Sequence, residues 1–167
     1  YGDELIVVQF DAHADLRDDY LGSALSHASA IKRLTDFMPG KNIYQFGIRS
    51  GTKEEFEFAS QNTNLYKFDV LNPLKEVIAE IGKRPVYFTL DIDVADPAYA
   101  NGTGTPEPGG ISSRELIESI HMFKVLNLVG FDLVEVSPHY DDSDRTALLA
   151  AKIIRDIVLI AEKTATT

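Results

Sequence analysis

The chain has 167 residues, of which 44% are hydrophobic, and a formal net charge of −10. This length and composition predict one soluble globular domain over residues 1–167 with a sizeable core. The acidic charge argues against nucleic acid and membrane surfaces as partners and favours cations. The absence of cysteine excludes disulfide scaffolds and thiolate metal sites, and we expect a cytoplasmic protein.

The first residues contain neither an initiator Met nor a basic segment followed by an apolar one, as a signal peptide would require. A predicted strand begins almost at once, at Leu5. We therefore expect an N-terminal portion to be missing, so that the chain is the C-terminal portion of a longer domain.

Five short apolar runs predict strands. Most are continuous rather than alternating, which is typical of strands buried on both faces of a parallel sheet. The runs are Leu5–Phe10, Ile43–Ile48, Leu65–Phe68, Val86–Leu90 and Leu128–Val134.

Apolar residues at helical spacing lie between the first predicted strands. The residues of the first predicted helix are Leu25, Ala28, Ile31, Leu34 and Met38. Thr52 and Glu55 have the spacing of a capping box, which predicts the start of a short second helix.

Three further helices follow in the second half of the chain. Asn72 and Pro73 predict an N-cap and a first-turn proline, and Gly82 predicts the end of that helix. Ser112 and Glu115 form another capping box. The last helix has an apolar stripe of Leu149, Ile153, Ile157 and Ile160. This alternation predicts a three-layer α/β/α domain with a mainly parallel sheet.

Polar residues follow four of the five predicted strands. The carboxyl ends of parallel strands share one edge of the sheet, where ligands of such folds bind. A Gly- and Pro-rich loop from Asp93 to Ile111 is also long enough to be functional. The polar residues are Asp11, His13, Asp15, Arg17, Arg49, Asp91, Asp93 and Glu135.

Carboxylates that converge in this way would raise one another's pKa, unless a cation removed the repulsion. Oxygen ligands with one imidazole suit Mn²⁺, and this many carboxylates favour two ions over one. Alternate residues of an extended segment face the same side. Asp11, His13 and Asp15 can therefore face one site, as can Asp91 and Asp93.

These motifs resemble those of the arginase/agmatinase (ureohydrolase) family, and most of all agmatinase. Asp11–Asp15 is similar to the family's Asp-Ala-His-x-Asp motif, and Leu90–Pro97 to its second metal motif. Gly102–Gly110 resembles the loop that follows, and Val134–Pro138 another family signature. The similarity covers nearly the whole chain.

The resemblance implies an arginase-like fold and two Mn²⁺ ions, bridged by Asp11 and Asp91. It implies that Asp15 binds one ion and also relays a proton. It implies a proton shuttle at His27 and a guanidinium-binding carboxylate at Glu135. The remaining metal ligands implied are His13 and Asp93. The family also has a metal-binding histidine upstream of this segment, and its members are commonly homo-oligomers.

The chemistry implied is hydrolysis of a guanidino compound to urea and an amine by a metal-bridging hydroxide. Arg17 stands where arginases have an Asn that recognises the α-carboxylate, and Thr105–Gly110 reads like the agmatinase loop. Agmatine, a dication, is therefore the favoured substrate, which would place the enzyme in polyamine biosynthesis. Arginine and guanidino acids stay open as alternatives, since Arg17 or Arg49 could bind a carboxylate.

Other interpretations concern single residues and the whole chain. His121 and Asp132 are expected to be structural, Glu107 to shape the loop, and His139 not to touch metal. Alternatives for the chain are a phosphoesterase, which the scarcity of basic residues at the strand ends disfavours, and a truncated, non-catalytic metal-binding or assembly module.

Overall fold

Five strands form one parallel sheet in the order β3-β2-β1-β4-β5. The computed structural model describes the main chain of residues 1–164 and the side chains of residues 1–162. Each strand begins and ends within one residue of its predicted bounds, and the predicted parallel sheet is confirmed. The strands are β1 (Ile6–Phe10), β2 (Ile43–Ile48), β3 (Asn64–Lys67), β4 (Pro85–Asp91) and β5 (Asn127–Val134).

Helices connect these strands and follow the last of them. They are α1 (Ala30–Leu34), α2 (Lys53–Asn62), α3 (Leu71–Ile81), α4 (Ser113–Met122) and α5 (Arg145–Thr164). Both predicted capping boxes form, at Thr52 before α2 and at Ser112 before α4. The predicted stripe of α5 is buried, which confirms the face it presents to the sheet.

Two helix starts differ from the prediction. The first helix is only Ala30–Leu34, preceded by a 3₁₀ turn, and Leu25 is 84% exposed because nothing in the described chain packs over it. Asn72 is not an N-cap, because α3 already begins at Leu71. The carboxylate of Asp69 instead accepts hydrogen bonds from the backbone and side-chain N–H groups of Asn72, at 3.4 and 2.7 Å.

The two faces of the sheet are covered by different helices, as the three-layer prediction requires. Helices α3, α4 and α5 bury one face in the larger core, where the rings of Phe10, Phe88 and Phe123 meet edge-to-face or tilted. Helices α1 and α2 cover the other face in a smaller core around Val7, Ile31 and Ala59. None of the helices within residues 1–164 has the length and apolar character needed to cross a membrane.

Candidate active site

A cavity of about 750 Å³ opens at the carboxyl ends of β1, β4 and β5. Its wall includes seven of the nine residues that the sequence predicted to be functional. They are Asp11, His13, Asp15, Arg17, His27, Asp91 and Glu135. Asp93 lies directly behind this wall, whereas Arg49 points elsewhere.

Three predicted metal ligands form a close group. Nδ1 of His13 lies 3.0 Å from Oδ2 of Asp93 and 3.5 Å from Oδ1 of Asp11. One ligand atom from each residue falls within 4.8 Å of the other two. Asp11 and Asp93 are 3% and 1% exposed, so both carboxylates are shielded from water. One cation could bind both of them.

The local backbone explains why Asp11 and His13 face the same way. The segment after β1 stays extended, because Ser50 and Arg49 donate backbone hydrogen bonds to the carbonyl of Ala12 and His13 pairs in parallel with Ser50. Alternate side chains of such a segment point to the same side. The backbone N–H of Ala12 also donates to Oδ1 of Asp93 at 3.0 Å, which joins the two metal motifs.

Asp91 and Asp15 complete the acidic wall. Asp91 ends β4, and its Oδ1 accepts the backbone N–H of Asp93 at 2.9 Å. Asp15 has a left-handed backbone with φ +54°, which is rare for a residue other than glycine. Such strained residues cluster at functional sites.

The predicted metal ligands include four carboxylates but one imidazole, so their negative charges are not balanced. Burial, and then the neighbouring charge of Asp11, raise the pKa of both Asp15 and Asp91 above the ordinary range. Burial likewise raises the pKa of Asp11. Hydrogen bonds to Asp11 and Asp93 raise the pKa of His13 to about 10. Burial acts to raise the pKa of Asp93, but hydrogen bonds from His13 and from the N–H of Ala12 lower it overall.

This donor set fits divalent cations. It gathers four buried or half-buried carboxylates and one imidazole, and a cation would remove both the repulsion among the carboxylates and the need for protons on them. Oxygen-rich ligands with one imidazole suit Mn²⁺ among the common ions. The group that could hold an ion contains Asp11, His13 and Asp93. Metal binding by Asp15 and Asp91 stays a prediction.

His27 and Arg17 lie on the rim of the cavity beside a tyrosine that the sequence did not single out. The ring of His27 is exposed and meets the ring of Tyr20 edge-on, with centroids 5.3 Å apart. The guanidinium of Arg17 lies 4.9 Å from the centre of the same ring, and its Nε is 3.4 Å from Oε2 of Glu55. The rim therefore offers one imidazole and one cation to solvent.

Glu135 faces the cavity from the opposite side, directly after β5. Its φ is +63°, a second left-handed residue at a predicted functional position. The exit from β5 is tied to the Gly-rich loop, because the N–H of Ser137 donates to the carbonyl of Gly102 at 2.7 Å. A Cβ at Gly104 would lie 3.8 Å from Oε2 of Glu135, so the absence of a side chain there leaves room beside the carboxylate.

The geometry does not support Arg49 as a substrate-binding residue. Its guanidinium donates to the carbonyl oxygens of Asp93 at 2.7 Å, Glu107 at 2.8 Å, Gly47 at 3.0 Å and Val94 at 3.3 Å. Its donors are thus taken up by the main chain of three segments around the cavity. We correct the prediction accordingly, because Arg49 holds the metal loop and the Gly-rich loop together.

Arg49→Lys is expected to lower the free energy of unfolding by about 2–3 kcal/mol, because one ammonium cannot reach carbonyls arranged for a planar fork. Urea denaturation of both proteins, without added metal, measures the change. Arg114→Lys is the matched control, since Arg114 is 86% exposed and pairs with Glu118 within α4. Equal loss in both variants would contradict the proposed role of Arg49.

Several polar residues of the site were missed by the sequence analysis. Gln9 and Thr89 line the cavity from β1 and β4, and Gln45 lies buried behind Gln9 on β2. The available signal was a single glutamine within each of two otherwise apolar strands. Asp132, expected to be structural, accepts hydrogen bonds from Tyr87 at 2.6 Å and Thr89 at 2.8 Å, and it also lines the cavity.

The other histidines lie away from the metal ligands. Nε2 of His121 is 3.0 Å from Oδ2 of Asp156, so it joins α4 to α5 as a structural contact. His139 lies in an exposed 3₁₀ turn and does not line the cavity. Glu107 shapes the loop through its carbonyl, while its carboxylate lies 3.9 Å from Nε2 of His13.

Comparison with known proteins relates this site to one family. A family model described as the arginase family matches residues 1–160. An agmatinase from Bacillus cereus is 54% identical over 159 residues, which cover 93% of this chain and 55% of that protein. A guanidinobutyrase from Pseudomonas aeruginosa is 36% identical over 165 residues, 92% of this chain and 52% of its own length.

A solved structure agrees with the fold. The agmatine ureohydrolase of Thermoplasma volcanium superposes with a TM-score of 0.86 at 35% identity, covering 99% of this chain and 58% of that one. The chain thus spans about half the length of the curated relatives it matches.

Proposed function

The chain belongs to the arginase family, and from this membership and its site we propose that it takes part in Mn²⁺-dependent hydrolysis of a guanidino compound, most favourably agmatine to putrescine and urea. The observation that carries the proposal is the close group of Asp11, His13 and Asp93 beside a cavity that Asp15, Asp91 and Glu135 also line.

The reaction breaks the bond between the guanidinium carbon and the substituted nitrogen. Water supplies the oxygen of urea and both protons that convert the leaving nitrogen into an ammonium group. Two divalent ions, when bound, would supply the missing nucleophilicity by lowering the pKa of a water molecule from about 15.7 towards 7. The side chains of Asp11, His13, Asp15, Asp91 and Asp93 would hold those ions.

The protein residues bind the substrate and move protons. The carboxylate of Glu135 would hold the guanidinium by charge-assisted hydrogen bonds, with its carbon turned towards the metal ligands. The carboxylate of Asp15 would accept a proton released from water and pass it to the leaving amine. The imidazole of His27, exposed at the rim, would exchange protons between the cavity and solvent.

The acidic wall supports agmatine as the substrate. Agmatine has two positive charges and no carboxylate, so it gains attraction from both ends in a site rich in Asp and Glu. The relatives named as agmatinases support the same choice.

A guanidino acid is the second candidate, and one observation favours it. Arg17 lines the cavity and its side chain is 36% exposed, so it could bind a substrate carboxylate. The guanidinobutyrase of Pseudomonas aeruginosa is also among the relatives. Arginine is a weaker alternative, because the position that resembles the carboxylate-binding Asn of arginases is Arg17.

The test is urea release by the protein loaded with Mn²⁺, from agmatine, arginine and 4-guanidinobutyrate in parallel. We expect agmatine to give at least about tenfold more urea than either competitor, which corresponds to about 1.4 kcal/mol of discrimination. Urea mainly from 4-guanidinobutyrate would transfer the assignment to the second candidate. Mn²⁺ binding without urea from any substrate would support the alternative of a non-catalytic metal-binding module.

We also propose the wider setting that the family resemblance implies: a homo-oligomer in the cytoplasm that contributes to polyamine biosynthesis. The oligomeric state is tested by light scattering of the purified protein after size-exclusion chromatography. A monodisperse monomer at micromolar concentration would contradict that part of the proposal.

A further inference from the structure

Three buried side chains and one half-buried threonine form a hydrogen-bonded row that ends on a metal-ligand carboxylate. Gln9 on β1 and Gln45 on β2 stand opposite each other in the sheet register, and they are 2% and 0% exposed. Nε2 of Gln9 donates to Oδ2 of Asp11 at 2.7 Å. Nε2 of Gln45 donates to Oε1 of Gln9 at 2.7 Å, and Oγ1 of Thr63 donates to Oε1 of Gln45 at 2.9 Å.

The direction of every bond in this row is determined by its ends. The carboxylate of Asp11 accepts when ionised, so Gln9 must turn its NH₂ towards it and its oxygen towards Gln45. Gln45 must then turn its own NH₂ towards Gln9, where it also donates to the carbonyl of Ala14 at 2.8 Å. The hydroxyl of Thr63 supplies the last donor to the free oxygen of Gln45.

A purely structural role explains this row poorly. The neighbouring positions on the same strands are buried and mostly apolar, so Gln9 and Gln45 place polar groups in an otherwise apolar layer of the sheet. The row also differs from another buried amide in the group to which it finally donates, which here is the carboxylate of Asp11. Asn42 donates to the carbonyl of Asp3 at 2.7 Å, far from the cavity.

We propose that Gln9, oriented by Gln45 and Thr63, is a positioning residue for the carboxylate of Asp11. This inference rests on the metal site of the proposed function. One oxygen of Asp11 receives Gln9, and the other receives the backbone N–H of His13 at 2.6 Å, so both bonds prevent rotation of the carboxylate. Each oxygen of the ionised carboxylate keeps a further lone pair that can bind a cation. Outer-shell partners of this kind commonly set metal affinity.

The test is Mn²⁺ affinity, measured on metal-free protein by electron paramagnetic resonance of free Mn²⁺ during titration. Gln9→Met keeps the length of the side chain and removes the donor, and we expect it to weaken Mn²⁺ binding about 10- to 100-fold. Asn42→Leu is the matched control, because it also removes a buried amide. It should leave the affinity unchanged, even if both variants lose thermal stability.

A double-mutant cycle tests the order of the row. If Gln45 acts through Gln9, then Gln45→Met weakens binding in the parent but adds no further loss once Gln9→Met is present. Full affinity in a folded Gln9→Met protein would overturn the inference while the proposed function stands. A parent protein that binds no Mn²⁺ would overturn the proposed function and this inference together.

Discussion

Asp91→Asn is expected to abolish the stabilisation of the protein by Mn²⁺ and to reduce urea release by about 10³-fold or more. Asn preserves the shape of the side chain but removes the charge that attracts the cations. Metal-ion catalysis contributes several kcal/mol to a hydrolysis, and each 1.36 kcal/mol is a factor of ten in rate. Asp91 accepts a hydrogen bond from the backbone of Asp93 and interacts electrostatically with Asp11. Removal of its charge therefore affects the site as a whole.

The same substitution should leave the metal-free protein at least as stable as the parent at neutral pH. Burial and the charge of Asp11 raise the pKa of Asp91, so the folded state holds a proton that the unfolded state releases. A carboxyl group with a raised folded pKa loses stability as pH rises above its unfolded pKa of about 4. Asn carries no such penalty. We therefore expect Asp91→Asn to be at least as stable as the parent without Mn²⁺ and less stable than the parent with Mn²⁺.

Thermal unfolding with and without Mn²⁺ separates these two effects. The parent should gain about 2.7 kcal/mol at a free Mn²⁺ concentration of 100 times Kd, and the variant almost nothing. Asp142→Asn is the matched control, since that side chain is 86% exposed and outside the cavity. If Mn²⁺ stabilised Asp91→Asn as much as the parent, Asp91 would not be a metal ligand.

Glu135→Gln is expected to lower kcat/KM for urea release about 100-fold while leaving Mn²⁺ affinity unchanged. The variant keeps the size of the side chain and its left-handed backbone, so only the charge is removed. Hydrogen bonds to a charged group contribute about 1.5–3 kcal/mol each, and the guanidinium can use two. We therefore expect Glu135→Gln to weaken the interaction with the substrate and to leave Mn²⁺ binding unchanged.

The control for Glu135→Gln is Glu118→Gln, which makes the same chemical change on α4, outside the cavity. Steady-state kinetics and Mn²⁺ titration on both variants measure the two quantities independently. Unchanged kinetics in Glu135→Gln would contradict guanidinium binding at this carboxylate. Loss of Mn²⁺ affinity would instead make Glu135 part of the metal site.

The sequence by itself determined the strands, the parallel sheet and the family. Strands buried on both faces appear in the sequence as continuous apolar runs, and such runs can be recognised without knowledge of tertiary contacts. The spacing of Asp11 and His13, and of Asp91 and Asp93, is likewise local, because alternate residues of an extended segment share a side. Most of the candidate site could be predicted for this reason.

Only the tertiary structure decided which polar residues face the cavity and which face the main chain. Arg49 follows β2 at the correct edge of the sheet, yet the carbonyls that bind its guanidinium come from residues up to 58 positions away. Gln9 and Gln45 are 36 positions apart and acquire a role because β1 and β2 pair in one register. Leu25 has helical spacing but packs against nothing in the described chain, so α1 begins only at Ala30. Periodicity reports the local preference of the backbone, whereas the partner of a polar side chain depends on contacts between distant segments.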